Sequence, residues 1–315
     1  MKAALLEAPR SFRLTSVDEP RPGAGEVLLR VEGCGICGSE LPAFEGRDWF
    51  TYPFPPGAPG HESWGTVVAV GDGVASVAEG DRVAGLAFRS HAELDVARAD
   101  SLVPIPAVVG DRPFPGEALG CAMNIFERSG IAAGDTVAVV GIGFLGALLV
   151  QLAAGAGASV IAVARRRESL ELAERMGAEH CVAVDADPVG EIERLTRGEI
   201  CDRVIECTGA EEPLDLAGRI TRVRGRLVIA GYHQDGRRSI DMQLWNWRGL
   251  DVVNAHERDP RRYVDGMRRA AAAVEAKELD PFPLFTHRFP LDDIDRAFDA
   301  ATSRLPGFVK AVVMP

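Results

Sequence analysis

Two short segments of the 315-residue chain carry the side chains best suited to hold a metal ion. GCGICGSE contains Cys34 and Cys37, and PGHES contains His61 and Glu62. Thiolate and imidazole are the usual donors to zinc, and a Cys-x-x-Cys pair can belong to a structural zinc knuckle. A knuckle needs two more ligands nearby, and the chain has no second Cys-x-x-Cys. A catalytic zinc needs only three protein ligands and keeps a fourth position for water or substrate. Cys37 and His61 are candidates for two of the three.

A third segment, TVAVVGIGFLG, sets Gly141, Gly143 and Gly146 in a GxGxxG pattern, with Phe144 and Leu145 inside it. It follows an apolar strand and opens an apolar helix. In that setting the first glycine permits the tight turn, the second admits a pyrophosphate to the backbone, and the third lets helix and strand pack closely. The next apolar run, SVIAVA, ends at Ala164. An Asp or Glu there would accept hydrogen bonds from a ribose 2′-hydroxyl, but Ala164 is followed by Arg165, Arg166 and Arg167. Cations at a helix start oppose the macrodipole and so call for another reason. Arg165 and Arg166 therefore point to a 2′-phosphate, and the expected preference is for NADP(H) over NAD(H).

The elements that must position these groups are legible as patterns. From residue 2 to about 100, short β-rich runs such as EVLLRVEGCG, HESWGTVVAVG, DRVAGLAF and AELDVA are broken by Gly and Pro, the texture of an all-β, barrel-like domain. From about 117 to 256, apolar strands alternate with amphipathic stretches, which implies a doubly wound parallel sheet. The remainder holds two helical stretches and a terminal strand, FVKAVVM, expected to pack back on the first domain. The expected division is therefore 1–119 with 257–315, and 120–256, in an α/β protein.

Composition narrows the partners. A formal charge of −11 with scattered arginines opposes nucleic acid and anionic membranes. The opening MKAALLEAPR is too short an apolar run for a secretory signal, and no stretch is long enough to span a bilayer, so a cytoplasmic protein is expected. Six cysteines without an export signal read as thiols or metal ligands rather than disulfides. The charge-dense HERDPRR reads as a solvated loop and helix start.

Taken together, GICGSE, PGHE, GIGFLG, VIECTG and the terminal THRFPLDDIDRAFD resemble the medium-chain dehydrogenase/reductase superfamily, in its zinc-dependent alcohol and polyol (sorbitol-type) branch. The resemblance covers essentially the whole chain. It implies a GroES-like catalytic domain, a Rossmann cofactor domain, and one catalytic zinc on Cys37 and His61. It places the third ligand at Glu117 in GEALGCAMN, with Cys121, one helical turn on, as the competing ligand. It makes Glu62 an outer or exchanging ligand and sets Ser39 where a hydroxyl contacts the substrate oxygen. Glu40 stands where it would orient His61, and Thr208 in VIECTG falls beside the cofactor. The family's proton-relaying His, five residues after the zinc Cys, is here Pro42, so the relay ends at Ser39 and the ribose or runs through water. The four-cysteine structural-zinc lobe is absent, because DRVAGLAF runs almost directly into RSHAELDVA.

The implied reaction is hydride transfer between NADP(H) and the CH–OH or C=O group of a small polar substrate, with a polyol or sugar leading. Aromatic and polar residues in RDWFTYPFPP and QLWNWRG, with Asn254 and His256, fall where the family builds its substrate cleft. A zinc-free reductase of activated C=C or C=N bonds and a non-catalytic NADP-binding protein are the rival readings. Cys34, Cys181, Cys201 and Cys207 read as core thiols, and His91 as a satisfied strand histidine. The strand around Leu250 to Asn254 would be last in its sheet, and in the resembling family it pairs with its own copy, so a homodimer or dimer-based tetramer is expected.

Overall fold

The computed structural model describes residues 1–185 and 187–315, which form two compact units, Met1–Cys121 with Asp259–Pro315, and Ala122–Arg258. The chain opens with β1 (Lys2–Ala8), β2 (Ser11–Ser16), β3 (Glu26–Gly35), a short helix α1 (Leu41–Glu45) and β4 (Glu62–Val70). There follow β5 (Arg82–Gly85), β6 (Leu94–Arg98), β7 (Leu102–Pro104) and α2 (Gly116–Ser129). Strand and helix then alternate through β8 (Thr136–Val140), α3 (Phe144–Gly155), β9 (Ser159–Ala164), α4 (Arg167–Arg175), β10 (His180–Ala183) and α5 (Pro188–Leu195). The alternation continues with β11 (Cys201–Glu206), α6 (Glu211–Ile220), β12 (Thr221–Ile229), α7 (Met242–Arg248) and β13 (Asp251–Asn254). The last elements are α8 (Pro260–Glu275), β14 (His287–Pro290), α9 (Ile294–Ser303) and β15 (Ala311–Met314).

In the first unit one sheet runs β14-β15-β3-β4-β5-β7, with β6 also paired to β3. Along β3 the period of two puts Val27 and Leu29 on one face, where they pack with Val67, Val83, Ala97 and Leu102. Register then does the positioning. β3 and β4 are antiparallel, with Gly35 opposite Glu62, so the residues just past the end of β3 meet those just before the start of β4. On the other side of β3, Val312 of β15 is also opposite Gly35. Three segments distant in sequence thus converge at one end of the sheet.

The second unit is a six-stranded parallel sheet ordered β10-β9-β8-β11-β12-β13. Its central strands are apolar on both faces, as helix-covered parallel strands must be, and Val137 to Val140 and Val160 to Val163 are all buried. The strand order reverses direction between β8 and β11, and the crevice beyond the carboxyl ends of strands at such a point is where open α/β sheets take ligands. The glycine-rich turn leaves β8 there. No described helix is long and apolar enough to cross a membrane.

Candidate functional site

At the converging end of the first sheet, one ligand atom each from Cys37, His61 and Glu62 lie within 4.8 Å of one another. His61 Nδ1 is 3.0 Å from the carbonyl oxygen of Pro59 and 3.3 Å from Glu40 Oε1. Both neighbours are acceptors, so Nδ1 carries the ring hydrogen and Nε2 offers its lone pair to a metal. Glu62 is almost fully buried at 1% exposure, and its Oε2 has no hydrogen-bond partner. A thiol, an imidazole nitrogen and a buried carboxylate form a donor set that suits zinc, so the residues fit the ion that the sequence implies.

A second layer holds these groups in place. Glu40, 1% exposed, accepts the Cys37 amide at 2.9 Å while its other oxygen faces His61. Burial pushes the Glu40 carboxyl up, but the charge and hydrogen bond of His61, with His91 behind, outweigh it and hold the value at about 2. For His61 burial pulls down, whereas Glu40 and Cys37 hold the ring well above the ordinary histidine value. His91 lies outside any strand, and neither ring nitrogen makes a hydrogen bond, which corrects its reading as a satisfied strand histidine. It is fully buried with Nε2 3.5 Å from Glu40 Oε1, its ring edge-on to Phe12 and Phe298.

Glu62 is held from the far side by Lys310. The Lys310 ammonium donates to Oε1 at 2.7 Å and stands 2.6 Å from Oε2. Burial works against the charged lysine, but Glu62 raises its pKa above the usual value. Gly35 makes room, since a Cβ there would lie 2.1 Å from Glu62 Oε2.

Glu117 and Cys121 sit on the first turns of α2, where Cys121 Sγ donates to Glu117 Oε1 at 3.2 Å. Neither belongs to the 4.8 Å group, in which Glu62 supplies the carboxylate. Burial raises the Glu117 carboxyl, with His61 pulling the other way, and burial together with Glu117 pushes the Cys121 thiol well up. The Ser39 hydroxyl donates to Cys37 Sγ at 3.2 Å. Pro42 lies in the first turn of α1. Cys34 and Cys201 are buried, whereas Cys181 and Cys207 are only partly so. Beyond α1, Trp49, Phe50, Phe54 and Tyr52 form a run of touching rings with centroids 5.4 to 5.9 Å apart. Among the other residues singled out for a substrate cleft, Trp247 is 88% exposed and His256 stacks on Tyr232.

In the second unit the glycine turn has the geometry its spacing implies. Gly141 has φ +97, and a Cβ on it would meet the Thr208 methyl at 2.4 Å. A Cβ on Gly146 would meet the Gly141 carbonyl oxygen at 2.1 Å. Gly143 differs: its backbone is extended and a Cβ would meet no protein atom within 4 Å. Neither conformation nor packing inside the chain demands glycine there. Gly143 is also the N-cap of α3, which no side chain caps, so the helix start is open to an anion. Phe144 and Leu145 open that helix. Ala164 ends β9, Arg166 is the N-cap of α4, and Arg167 pairs with Glu171 at 2.9 Å. Arg165 is exposed and makes no ion pair among the described residues.

Comparison with known proteins gives this arrangement a family. Residues 145–272 match the zinc-binding dehydrogenases and residues 23–111 the alcohol dehydrogenase GroES-like domain. An alcohol dehydrogenase of Moraxella sp. is 34% identical over 266 residues, covering 73% of this chain and 77% of its own. The chain belongs to the zinc-type medium-chain dehydrogenases. It is an oxidoreductase with the GroES-like and Rossmann-like pair of folds found in that family. A sorbitol dehydrogenase of Halalkalibacterium halodurans is 26% identical over 93% of both chains. Among solved structures, a zinc-binding dehydrogenase of Sinorhizobium meliloti bound to NADP superposes with a TM-score of 0.86 at 30% identity, over 100% of this chain and 99% of that one.

For a medium-chain dehydrogenase, the residue most plainly missed in the sequence is Lys310. Its signal was a single charge entering the apolar run FVKAVVM, which implies a buried partner without saying which.

Proposed function

We propose that this protein is a zinc-dependent dehydrogenase that moves a hydride between NADP(H) and the CH–OH or C=O group of a small polar substrate, with a polyol or sugar first. The observation that carries this reading is the Cys37–His61–Glu62 group, in which one ligand atom from each residue lies within 4.8 Å of the others. Cys37 and His61 hold one zinc, with the carboxylates of Glu62 and Glu117 available to complete its protein ligands. When bound, zinc supplies a Lewis acid and the dinucleotide a hydride acceptor.

The residues of the chain do the rest. Glu40 fixes the tautomer and aim of His61, and Lys310 neutralises the buried Glu62. The Ser39 hydroxyl, now on Cys37 Sγ, turns to the substrate oxygen and carries its proton away. Pro42 offers no acceptor, so that proton leaves through the cofactor ribose or water. Gly143 and the start of α3, with Phe144, Leu145 and Thr208 beside it, receive the pyrophosphate end of the cofactor. Arg165 and Arg166 receive a 2′-phosphate, a role supported by Ala164 at the acid position and by the free guanidinium of Arg165. The edge strand β13 pairs with a second copy, giving a dimer that light scattering at micromolar concentration would reveal or refute.

The test is zinc content, together with NADPH- and NADH-linked turnover on a panel of polyols, sugars and simple alcohols. One zinc per chain and alcohol turnover are expected. A zinc-free preparation that still turns over would overturn the metal mechanism in favour of a zinc-free reductase.

A further inference from the structure

Strand β11 ends on Glu206, a fully buried carboxylate that takes no part in the metal centre. Its Oε1 accepts the Thr208 amide at 2.5 Å, the Gly209 amide at 2.8 Å and the Thr208 hydroxyl. Its Oε2 is 3.0 Å from Nε2 of His233, in the loop after β12. On the other side of that ring, Arg238 Nε donates to His233 Nδ1 at 2.9 Å. Arg238 also donates to the Gly209 carbonyl oxygen at 3.0 Å and pairs with Asp235. The two loops touch through backbone as well, since a Cβ on Gly231 would lie 2.1 Å from the Gly209 nitrogen.

This chain of contacts has a direction. A guanidinium only donates, so Nδ1 of His233 must present a lone pair, and the ring hydrogen sits on Nε2 and is donated to Glu206. Glu206 in turn gathers three donors from Thr208 and Gly209. The Thr208 methyl occupies the space a Cβ on Gly141 would need. Each link fixes the next, from the 231–238 loop to the first glycine of the turn.

We infer that Arg238, His233 and Glu206 form a one-way hydrogen-bonded brace that sets Thr208 against the glycine turn, and that they are positioning residues for the bound dinucleotide. The inference rests on the reading of Gly141 to Gly146 as the dinucleotide site.

The polarity supplies the test. Glu206→Gln keeps an oxygen for the Thr208 and Gly209 donors but turns an N–H toward the Nε2 hydrogen of His233. The ring cannot escape by moving its hydrogen to Nδ1, because Arg238 donates there. Arg238→Met removes that obstruction, so a mutant cycle isolates the brace. The measurements are Kd for NADPH and NADH by fluorescence titration, with zinc content, for wild type, both single variants and the double variant. Glu206→Gln is expected to weaken both dinucleotides about tenfold or more in the wild-type background and less than about twofold in the Arg238→Met background, with zinc content unchanged. Equal losses in the two backgrounds, or no loss in either, would overturn the brace. A wild type that binds neither dinucleotide would overturn the dinucleotide reading and the brace with it. Should Glu206→Gln fail to fold, His233 gives the same contrast. His233→Gln can donate to Glu206 and accept from Arg238, and should stay within about threefold of wild type, while His233→Leu should lose about tenfold. Equal behaviour of those two variants would also refute the brace.

Discussion

The candidate metal site of the first unit and the glycine turn of the second solve opposite physical problems. The candidate metal site gathers charge where water is scarce: Glu40, Glu62 and Lys310 are all at most 6% exposed, and they are tolerable because Lys310 faces Glu62 and His61 faces Glu40. The turn works by omission: Gly141 and Gly146 leave out side chains that would strike the Thr208 methyl and the Gly141 carbonyl oxygen, and Gly143 leaves an open face at the start of α3. One site is therefore broken by taking atoms away, and the other by adding them.

The largest effect should come from Cys37→Ser, which removes a soft ligand. Losing the Lewis acid costs several kcal/mol of barrier, so kcat/KM should fall about a thousandfold or more, with zinc lost in elemental analysis and NADPH binding intact. Simultaneous loss of NADPH binding would show that the two sites are not separable in this way. Next is Lys310→Met, which leaves Glu62 buried without its counter-charge. A broken buried pair costs about 3 to 5 kcal/mol, and urea unfolding of the zinc-free protein should show it. A cost below about 1 kcal/mol would mean that Glu62 does not depend on this partner.

Of the two sites, the glycine turn was the more legible in the sequence, because strand, turn and helix are neighbours along the chain and the spacing alone fixes the geometry. Cys37 and His61 were legible as ligand types in short motifs. Their meeting depends on the antiparallel register of β3 and β4, which no local pattern encodes. Lys310 lies 248 residues from Glu62 and reaches it only because β15 pairs with the end of β3. His91 misled because a histidine in a β-rich segment is usually satisfied by hydrogen bonds. Here its ring stands edge-on to Phe12 and Phe298, and the carboxylate of Glu40 lies 3.5 Å from its Nε2.

Two smaller effects sharpen the comparison on the turn's side. Arg165→Ala should weaken NADPH by about 1.5 to 3 kcal/mol, roughly ten- to a hundredfold or slightly more, and leave NADH nearly untouched. The check is kcat/KM for both cofactors, and equal damage to both would remove the phosphate role. Smallest in stability are the paired variants Gly146→Ala and Gly143→Ala. The first forces a methyl against the Gly141 carbonyl and should cost about 1 to 3 kcal/mol in thermal or urea unfolding. The second meets no protein atom and should cost less than about 0.5 kcal/mol, yet still weaken the dinucleotide. A Gly143→Ala protein that binds NADPH as well as wild type would mean the open face of the turn is not where the pyrophosphate lies.

The return of residues 259–315 to the first unit bears on how the protein is made. The second unit, Ala122–Arg258, is one unbroken stretch, so everything it needs has been synthesised before α8 begins. The first unit at that moment lacks β15 and, with it, the ammonium that Glu62 requires. Domains form as units while synthesis proceeds at about 5 to 20 residues per second, so the nucleotide fold can be in place while Cys37, His61 and Glu62 still wait for their enclosure. In a nascent chain Glu62 thus stays without its counter-charge until residue 310 has been made.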